Sequence, residues 1–128
     1  MTDDRTDDAS LTVEPWRGDA AEWDAFVRAA PRSTFCHLHG WARIMGEVLG
    51  HRLHYRVARD PSGALAGVLP LVEVKSLIFG HYLVSMPFLN YGGPLGSEAA
   101  RRALAEAARE LARHRTVDLL ELRDRHEV

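Results

Sequence analysis

The segment spanning residues 79–102, FGHYLVSMPFLNYGGPLGSEAARR, constrains the fold of this chain more than any other. It predicts an apolar strand over 82–88, a glycine-rich loop over 90–96 and an alanine-rich helix opened by Ser97. A strand that enters a helix through such a loop can present backbone N–H groups and the positive end of the helix dipole to an anion. The same composition also serves a tight turn. The segment therefore predicts either a ligand site or a plain strand-to-helix turn.

Length and composition limit the class of protein. The 128 residues have room for one domain, and 46% apolar with 27% charged residues is typical of a globular protein. No apolar run reaches the roughly 18 residues that a membrane span needs. The N-terminus, MTDDRTDDAS, is acidic and polar, unlike a secretory signal, so we expect a cytoplasmic protein. A net charge of −2 argues against a DNA partner.

Cysteine and histidine usage gives little support for a metal or redox site. Cys36 is the single cysteine and cannot form an internal disulfide. We interpret it as a buried thiol, with a nucleophile as the alternative. The close histidine pairs are His37 with His39 and His51 with His54. Without a second cysteine or an HExxH pattern they predict no metal site.

Apolar periodicity predicts two helices after a disordered tail at residues 1–10 and a short strand at 11–14. The first helix begins at Asp19 with Glu22 three residues on, as in a capping box, and ends before Pro31. The second covers 41–49, with Arg43 off its apolar face and free to line a cleft. One face is apolar and predicted to be core: Trp41, Ile44, Met45, Val48 and Leu49.

The second half of the chain predicts strands and one long helix. Strands are expected over 51–59, 64–75 and 82–88, a helix over 98–114, and a last strand over 117–123. Pro70 lies inside the second of these strands and removes one ladder donor, which predicts a bulge or break. The predicted order is β-α-α-β-β-β-α-β in an α/β (α+β) fold with a mixed, mostly antiparallel sheet.

This order resembles the N-terminal half of the GNAT acyltransferase fold, and particular residues narrow the resemblance to FemAB-type proteins of the exopolysaccharide and exosortase branch. The matching stretches are Gly40-Trp41, Leu49-Gly50-His51, Gly67 to Leu71, Lys75-Ser76, Phe79-Gly80, Val84 to Phe88, Asn90 to Leu95 and Leu120 to Arg123. They span about residues 35–123. The resemblance implies an acyl- or aminoacyl-transferase acting on a cell-wall or polysaccharide precursor, with acyl-CoA or aminoacyl-tRNA as donor. Alternatives are a non-catalytic half-domain that binds a partner or positions the acceptor, and a coenzyme-A-dependent N-acetyltransferase.

The resemblance also implies where the site lies. The strands at 82–88 and 117–123 would splay apart around the donor, with the 90–96 loop at the mouth. We expect Asn90, Tyr91, Gly92 and Gly93 to bind ligand, with Arg43 beside them. Glu121 is the candidate base and Arg123 a contact for an anion, since both project from one strand face. A surface ion pair is the alternative for these two.

Two departures from the pattern modify these expectations. The coenzyme A motif has Arg or Gln where Leu89 stands, and Pro94 has no N–H to donate at its last position. GNAT-like domains also continue beyond 123, so we interpret 11–123 as an incomplete domain and 124–128 as the region of a truncation. Apolar residues on the last strand would then lie at an open edge, which favours self-association: Leu119, Leu120 and Leu122.

Overall fold

The computed structural model describes residues 10–76, 80–86 and 92–122. In order, the elements are β1 (Thr12–Pro15), α1 (Ala20–Ala29), α2 (Gly40–Arg43), β2 (Arg52–Leu53), β3 (Arg56–Arg59), β4 (Leu65–Leu69), β5 (Leu71–Ser76), β6 (Gly80–Ser85), β7 (Leu95–Gly96), α3 (Glu98–Arg115) and β8 (Leu119–Glu121). A 3-10 turn at Phe35–His37 precedes α2, and a π-helical turn at Ile44–Val48 continues it. The predicted α+β class is confirmed. No helix in these described ranges is both long and apolar enough to cross a bilayer.

The strands form two four-stranded sheets. The first has the order β1-β3-β4-β7 and is antiparallel throughout. The second has the order β2-β5-β6-β8, and only β8 runs parallel, beside β6. The pairing is therefore mixed and mostly antiparallel, as predicted, but it is divided between two sheets.

The division falls inside the predicted strands. Residues 51–59 form β2 and β3 in different sheets, with His54 and Tyr55 between them, and the 64–75 strand divides into β4 and β5 at Pro70. Proline cannot donate to a ladder, so a break at this position is expected. Two backbone bonds link strands at the division: His54 N–H donates to Leu71 O (2.7 Å) and Met86 N–H donates to Pro70 O (2.9 Å).

Helix α1 covers one face of the sheets. Asp19 caps it by accepting from Glu22 N–H at 2.9 Å, as the sequence predicts. The helix buries Trp23 and Val27, and the indole Nε1–H of Trp23 donates to His37 O at 2.7 Å. The thiol of Cys36 is buried in the same core, as expected.

The apolar face predicted for the second helix is wrong. Met45 is buried, but Trp41 is only half-buried and Ile44, Val48 and Leu49 are exposed, Val48 to 70%. The cause is the π turn, in which Leu49 N–H bonds to Ile44 O five residues back. A π turn changes the angular spacing of side chains, so a 3.6-residue period no longer describes one face.

Helix α3 covers the opposite face. Ser97 caps it by accepting from Ala100 N–H at 3.1 Å, and Thr116, in the left-handed conformation, ends it. Its buried residues Ala100, Leu104 and Ala108 belong to a core cluster with residues of β3 to β6. The sheets therefore lie between α1 on one side and α3 on the other.

Candidate functional site

A candidate site lies where β6 and β8 end. These neighbouring strands are parallel and pair over three positions, of which the last is Val84 with Glu121. β6 continues to Ser85, which still pairs with Leu71 of β5, while β8 stops at Glu121. Ligands of α/β proteins commonly bind outside the carboxyl ends of parallel strands. This end of the sheet is therefore the place to examine for a site.

A groove of about 370 Å³ lies beside this point. Three parts of the chain form it: the end of the glycine segment, the first turns of α3, and the residue after β8. Its lining residues are Pro94, Glu98, Arg101, Arg102, Ala105, Arg109 and Leu122. The end of the glycine segment, the start of α3 and the residue after β8 therefore line one groove.

Among the described residues that line it, the groove has three arginines and one glutamate, which is an excess of positive charge. Arg102 lies 3.4 Å from Glu98 and Arg109 lies 3.3 Å from Glu106, and both pairs are exposed and therefore weak. Arg101 is half-buried, and within residues 10–76, 80–86 and 92–122 no carboxylate pairs with it. An anionic ligand would supply the charge that this guanidinium lacks.

The paired glycines directly precede Pro94, which lines the groove. Gly92 and Gly93 are both buried, and a Cβ on Gly92 would lie 2.4 Å from Cβ of Met86. The carbonyl of Gly93 accepts a hydrogen bond from His37 Nε2 at 2.9 Å. Thr34 N–H donates to Nδ1 of the same ring, so the proton of His37 lies on Nε2. Close packing against Met86 explains Gly92, and the role of both glycines in binding stays a prediction.

The predicted loop over 90–96 ends earlier than expected. Leu95–Gly96 is the strand β7, which pairs with Gly67 and Val68 of β4, and Ser97 N–H donates to Ala66 O at 3.3 Å. The sequence prediction missed this because a strand of two residues has no periodicity. Backbone N–H groups that already donate to the sheet cannot also donate to an anion. The loop is therefore less suited to bind a pyrophosphate than its glycines indicate.

The structure describes two of the other predicted site residues, Arg43 and Glu121. The side chain of Arg43 is 79% exposed and lies 3.4 Å from Glu47 one turn on, away from the lining of the groove. Glu121 is exposed at the end of β8, directly before the groove residue Leu122. Three predicted residues lie outside the described residues: Asn90, Tyr91 and Arg123.

Sequence reasoning missed a buried charged cluster on the α3 side of the second sheet. Glu73 of β5 is 5% exposed and accepts hydrogen bonds from His54 Nε2 (2.7 Å), His81 Nε2 (2.5 Å) and Arg115. The signal was an acid inside the apolar run Leu71-Val72-Glu73-Val74. Across the described part of the chain, no group of three or more His, Cys, Asp or Glu is arranged to hold a metal ion. The cluster instead joins α3 to the sheet.

The cluster keeps Glu73 ionised. Burial raises the pKa of Glu73, but the hydrogen bonds from Arg115, His54 and His81 outweigh this effect and lower the pKa to about 2. Burial lowers the pKa of His54 and outweighs the opposing effect of its bond to Glu73. His54 therefore donates to the carboxylate as a neutral imidazole near pH 7.

Comparison with known proteins supports the fold. No known family profile matches the chain, and no curated protein matches its sequence. Among solved structures, FemX is similar, with a TM-score of 0.53 and 22% sequence identity over 79% of this chain. The chain spans 24% of the FemX chain, about a quarter of its length. The alignment confirms that the chain has a FemAB-type fold, as the sequence interpretation expected.

Proposed function

We propose that the chain takes part in the transfer of an acyl or aminoacyl group to an amine or hydroxyl of a cell-wall or extracellular-polysaccharide precursor in the cytoplasm. One observation carries the proposal: within a FemAB-type fold, an arginine-rich groove lies at the carboxyl ends of the parallel strands β6 and β8. Acyl-CoA, aminoacyl-tRNA and nucleotide-linked precursors all carry phosphates, which arginine recognises well.

The backbone favours aminoacyl-tRNA over acyl-CoA as the donor. A coenzyme A site needs successive free N–H groups before the helix, but Pro94 has none and that of Ser97 serves Ala66. Phosphates of a tRNA end can instead be held by side chains such as Arg101. Acyl-CoA is the second candidate, and it would make the protein a conventional N-acetyltransferase.

In the proposed reaction, the acceptor amine or hydroxyl attacks the ester carbonyl of the aminoacyl group. The new bond to the carbonyl carbon forms, the ester C–O bond to the ribose breaks, and the ribose hydroxyl leaves with a proton. Glu121 is the proposed base that takes the proton of the acceptor, because it is an exposed carboxylate at the carboxyl end of β8. Arg123, Asn90 and Tyr91 are proposed to contact the substrates.

A non-catalytic role is the alternative. The chain spans only a quarter of FemX, so the groove could hold an acceptor while a partner supplies the reacting groups. Binding without transfer is the expected result in that case, which separates it from catalysis by this chain.

The test is binding of aminoacyl-tRNA, coenzyme A and a nucleotide-linked glycan precursor to the purified chain, followed by a transfer assay. Arg101→Gln should weaken binding of the phosphate ligand about tenfold, as for loss of a charged hydrogen bond. Arg28→Gln, an exposed arginine of α1, is the matched control and should change nothing. Glu121→Gln should stop transfer while leaving binding intact.

Each outcome decides between the candidates. Saturable coenzyme A binding lost in Arg101→Gln would favour the acetyltransferase. Binding of the glycan precursor with no transfer would favour the acceptor-positioning role. If none of the three ligands binds, or if Arg101→Gln and Arg28→Gln behave alike, the groove is not the site.

A further inference from the structure

A second groove, of about 820 Å³, lies between β1 and the last turns of α3. The strands line it with Val13, Glu14, Pro15 and Arg56, and the helix lines it with residues between 107 and 114. We call it the edge groove, because β1 is the last strand of its sheet within the described residues. It shares no lining residue with the arginine-rich groove at the start of α3, so it is independent of the proposed function.

The outer edge of β1 offers backbone groups for a further strand. Directly after β1, Trp16 N–H donates to Tyr55 O at 2.9 Å. Hydrogen-bonded positions alternate along an antiparallel ladder, so the positions one and three residues before Trp16 do not bond to β3. These positions are Pro15 and Val13. The C=O of Pro15 and both the N–H and the C=O of Val13 therefore point away from β3, where another chain can pair with them.

The surface beside this edge is apolar. Val13 of β1 and Leu111 of α3 both pack against the core cluster under α3, and both are only half-buried. Ala107 lies one turn before Leu111, on the same face of the helix, and it also lines the groove. A strand added beside β1 would project alternate side chains onto this surface.

Arg56 supplies a cation without a counter-ion. It lies two residues before Ala58, which is buried under α3, so both side chains project from β3 towards the helix. Its one hydrogen bond among the described residues runs from Nη1 to Tyr55 O at 3.3 Å, and no carboxylate pairs with it. Its other nitrogens are accessible, because the described side chains have only two buried unpaired polar atoms, Trp16 Nε1 and the Tyr55 hydroxyl. A carboxylate that enters the groove can therefore reach this guanidinium.

The other charges that line the groove are paired or exposed. Glu14 already has an arginine partner at 3.0 Å. Glu110, Arg113 and His114 are exposed on α3, where solvent and salt screen their charges. Arg56 is half-buried and has no acidic partner among the described residues. It therefore selects a ligand with one carboxylate on the strand side of the groove.

We propose that the edge groove binds an extended segment of another protein, which adds to β1 as a further strand. The segment would form backbone hydrogen bonds with Val13 and Pro15, and one of its carboxylates would pair with Arg56. Its apolar side chains would lie against Val13 and Leu111. Backbone pairing gives affinity in this mode of recognition, and the side chains give specificity.

A second copy of β1 does not meet these requirements. The one carboxylate on β1 belongs to Glu14, and it already pairs with Arg59. Two copies of β1 side by side would therefore leave Arg56 of each copy without a counter-ion. A small carboxylic acid would pair with Arg56 but would leave the backbone groups of Val13 unused.

Hydrogen exchange followed by NMR tests the strand addition. The probe is the peptide acetyl-Val-Thr-Val-Glu-Val-amide, which is extended, apolar on one side and carries one carboxylate. In the free chain, the Val13 N–H should exchange fast, because it points away from β3. Saturating peptide should shift its signal and slow its exchange. The Glu14 N–H, which bonds to β3, is the internal reference and should be protected with and without peptide.

Paired peptides and variants test the recognition of the carboxylate. The same peptide with glutamine in place of glutamate should bind about tenfold more weakly, as for loss of a hydrogen bond to a charged group. Arg56→Gln should weaken binding of the glutamate peptide by the same factor and leave binding of the glutamine peptide unchanged. Arg52→Gln, an exposed arginine four residues earlier, is the matched control and should bind both peptides as the original chain does.

Four results would each overturn the proposal. Slow exchange of the Val13 N–H in the free chain would mean that this edge is already paired. No peptide response at millimolar concentration would mean that the edge accepts no strand. Equal affinity for the two peptides would remove Arg56 from the recognition. A shift of the Val13 signal with protein concentration alone would make a second copy of the chain the occupant.

Discussion

Arg115 binds both carboxylate oxygens of Glu73: its Nε lies 3.1 Å from Oε1 and its Nη2 lies 3.1 Å from Oε2. The two residues are 42 positions apart and join the last turn of α3 to the middle of β5. Such two-point pairing is the strongest form of the arginine–carboxylate contact. Because Glu73 is buried, the contact fixes where α3 ends on the sheet.

We predict that Arg115→Met lowers the free energy of unfolding by about 2–3 kcal/mol, since it leaves a buried carboxylate without its cation. Urea unfolding measures this change. Arg113→Met, two residues earlier and well exposed, should stay within about 0.5 kcal/mol of the original. The double variant Glu73→Gln with Arg115→Met should recover part of the loss, and no recovery would mean that the two side chains do not interact.

We predict that stability falls in acid through Glu73. Its pKa in the folded chain, about 2, is below the ordinary value of 4.5, so the stabilisation is complete above 4.5 and is lost as the pH falls from there towards 2. The loss is on the order of 3 kcal/mol. His54, whose pKa is also lowered, adds a decline below about pH 6.5.

Unfolding free energies measured from pH 7 to pH 2 test this prediction. Glu73→Gln should be less stable at pH 7, and its free energy of unfolding should no longer fall between pH 4.5 and pH 2. Glu106→Gln, at an exposed site, should keep that fall. If the free energy of unfolding of Glu73→Gln still fell with pH as in the original chain, the acid sensitivity would belong to other carboxyl groups.

We predict that Gly92→Ala destabilises the fold by about 2 kcal/mol, because the added Cβ would lie 2.4 Å from Cβ of Met86. Gly40→Ala is the control: a Cβ there meets nothing within 4 Å, and alanine favours the helix that begins at this residue. Thermal melting should show a clear loss for the first variant and none for the second. Equal melting temperatures would show that the segment around Gly92 moves to accept the added Cβ without a loss of stability.

We predict different losses for two tryptophans. Trp23→Ala should lower the free energy of unfolding by about 3–5 kcal/mol, since this indole is fully buried. Trp41→Ala should lower it by only about 1–2 kcal/mol, because the side chain is half-buried beside the exposed Phe35. If both variants lost the same free energy of unfolding, Trp41 would be a core residue, as the apolar periodicity predicted.

We predict that the chain associates through β8. This strand lies at the end of its sheet within the described residues, and Leu119 on it is 52% exposed. Such an edge is a template for pairing with another chain. Analytical ultracentrifugation should detect dimers or larger species that Leu119→Lys reduces, while Val48→Lys, on the exposed π turn, should not. A monomer at all concentrations would contradict the prediction.

Local features of the sequence predicted the fold well. The caps of α1 and α3 and the break at Pro70 follow from neighbouring residues, and the mixed, mostly antiparallel pairing follows from the resemblance to FemAB-type proteins. The exposure of Ile44, Val48 and Leu49 could not be predicted from the sequence, because nothing in residues 41–49 indicates a π turn.

The site was predictable only in outline. Pro94, the start of α3 and Leu122 line one groove, but Arg101 of that groove was not among the predicted site residues. The contact of Gly93 with His37 and the cluster around Glu73 join residues far apart in the chain. Contacts of that kind leave no periodic pattern, so their partners could not be found from the sequence.

The passage of neighbouring strands from one sheet to the other also limits how this fold can change by recombination. β2 with β3, β4 with β5, and β6 with β7 are successive in the chain, yet each pair has one member in each sheet. A crossover anywhere between residues 52 and 96 would therefore divide both sheets at once and combine strands from unrelated parents in each. Exchange of either sheet as a module is ruled out, and homologous segments that are swapped intact should contain all the strands from β1 to β8.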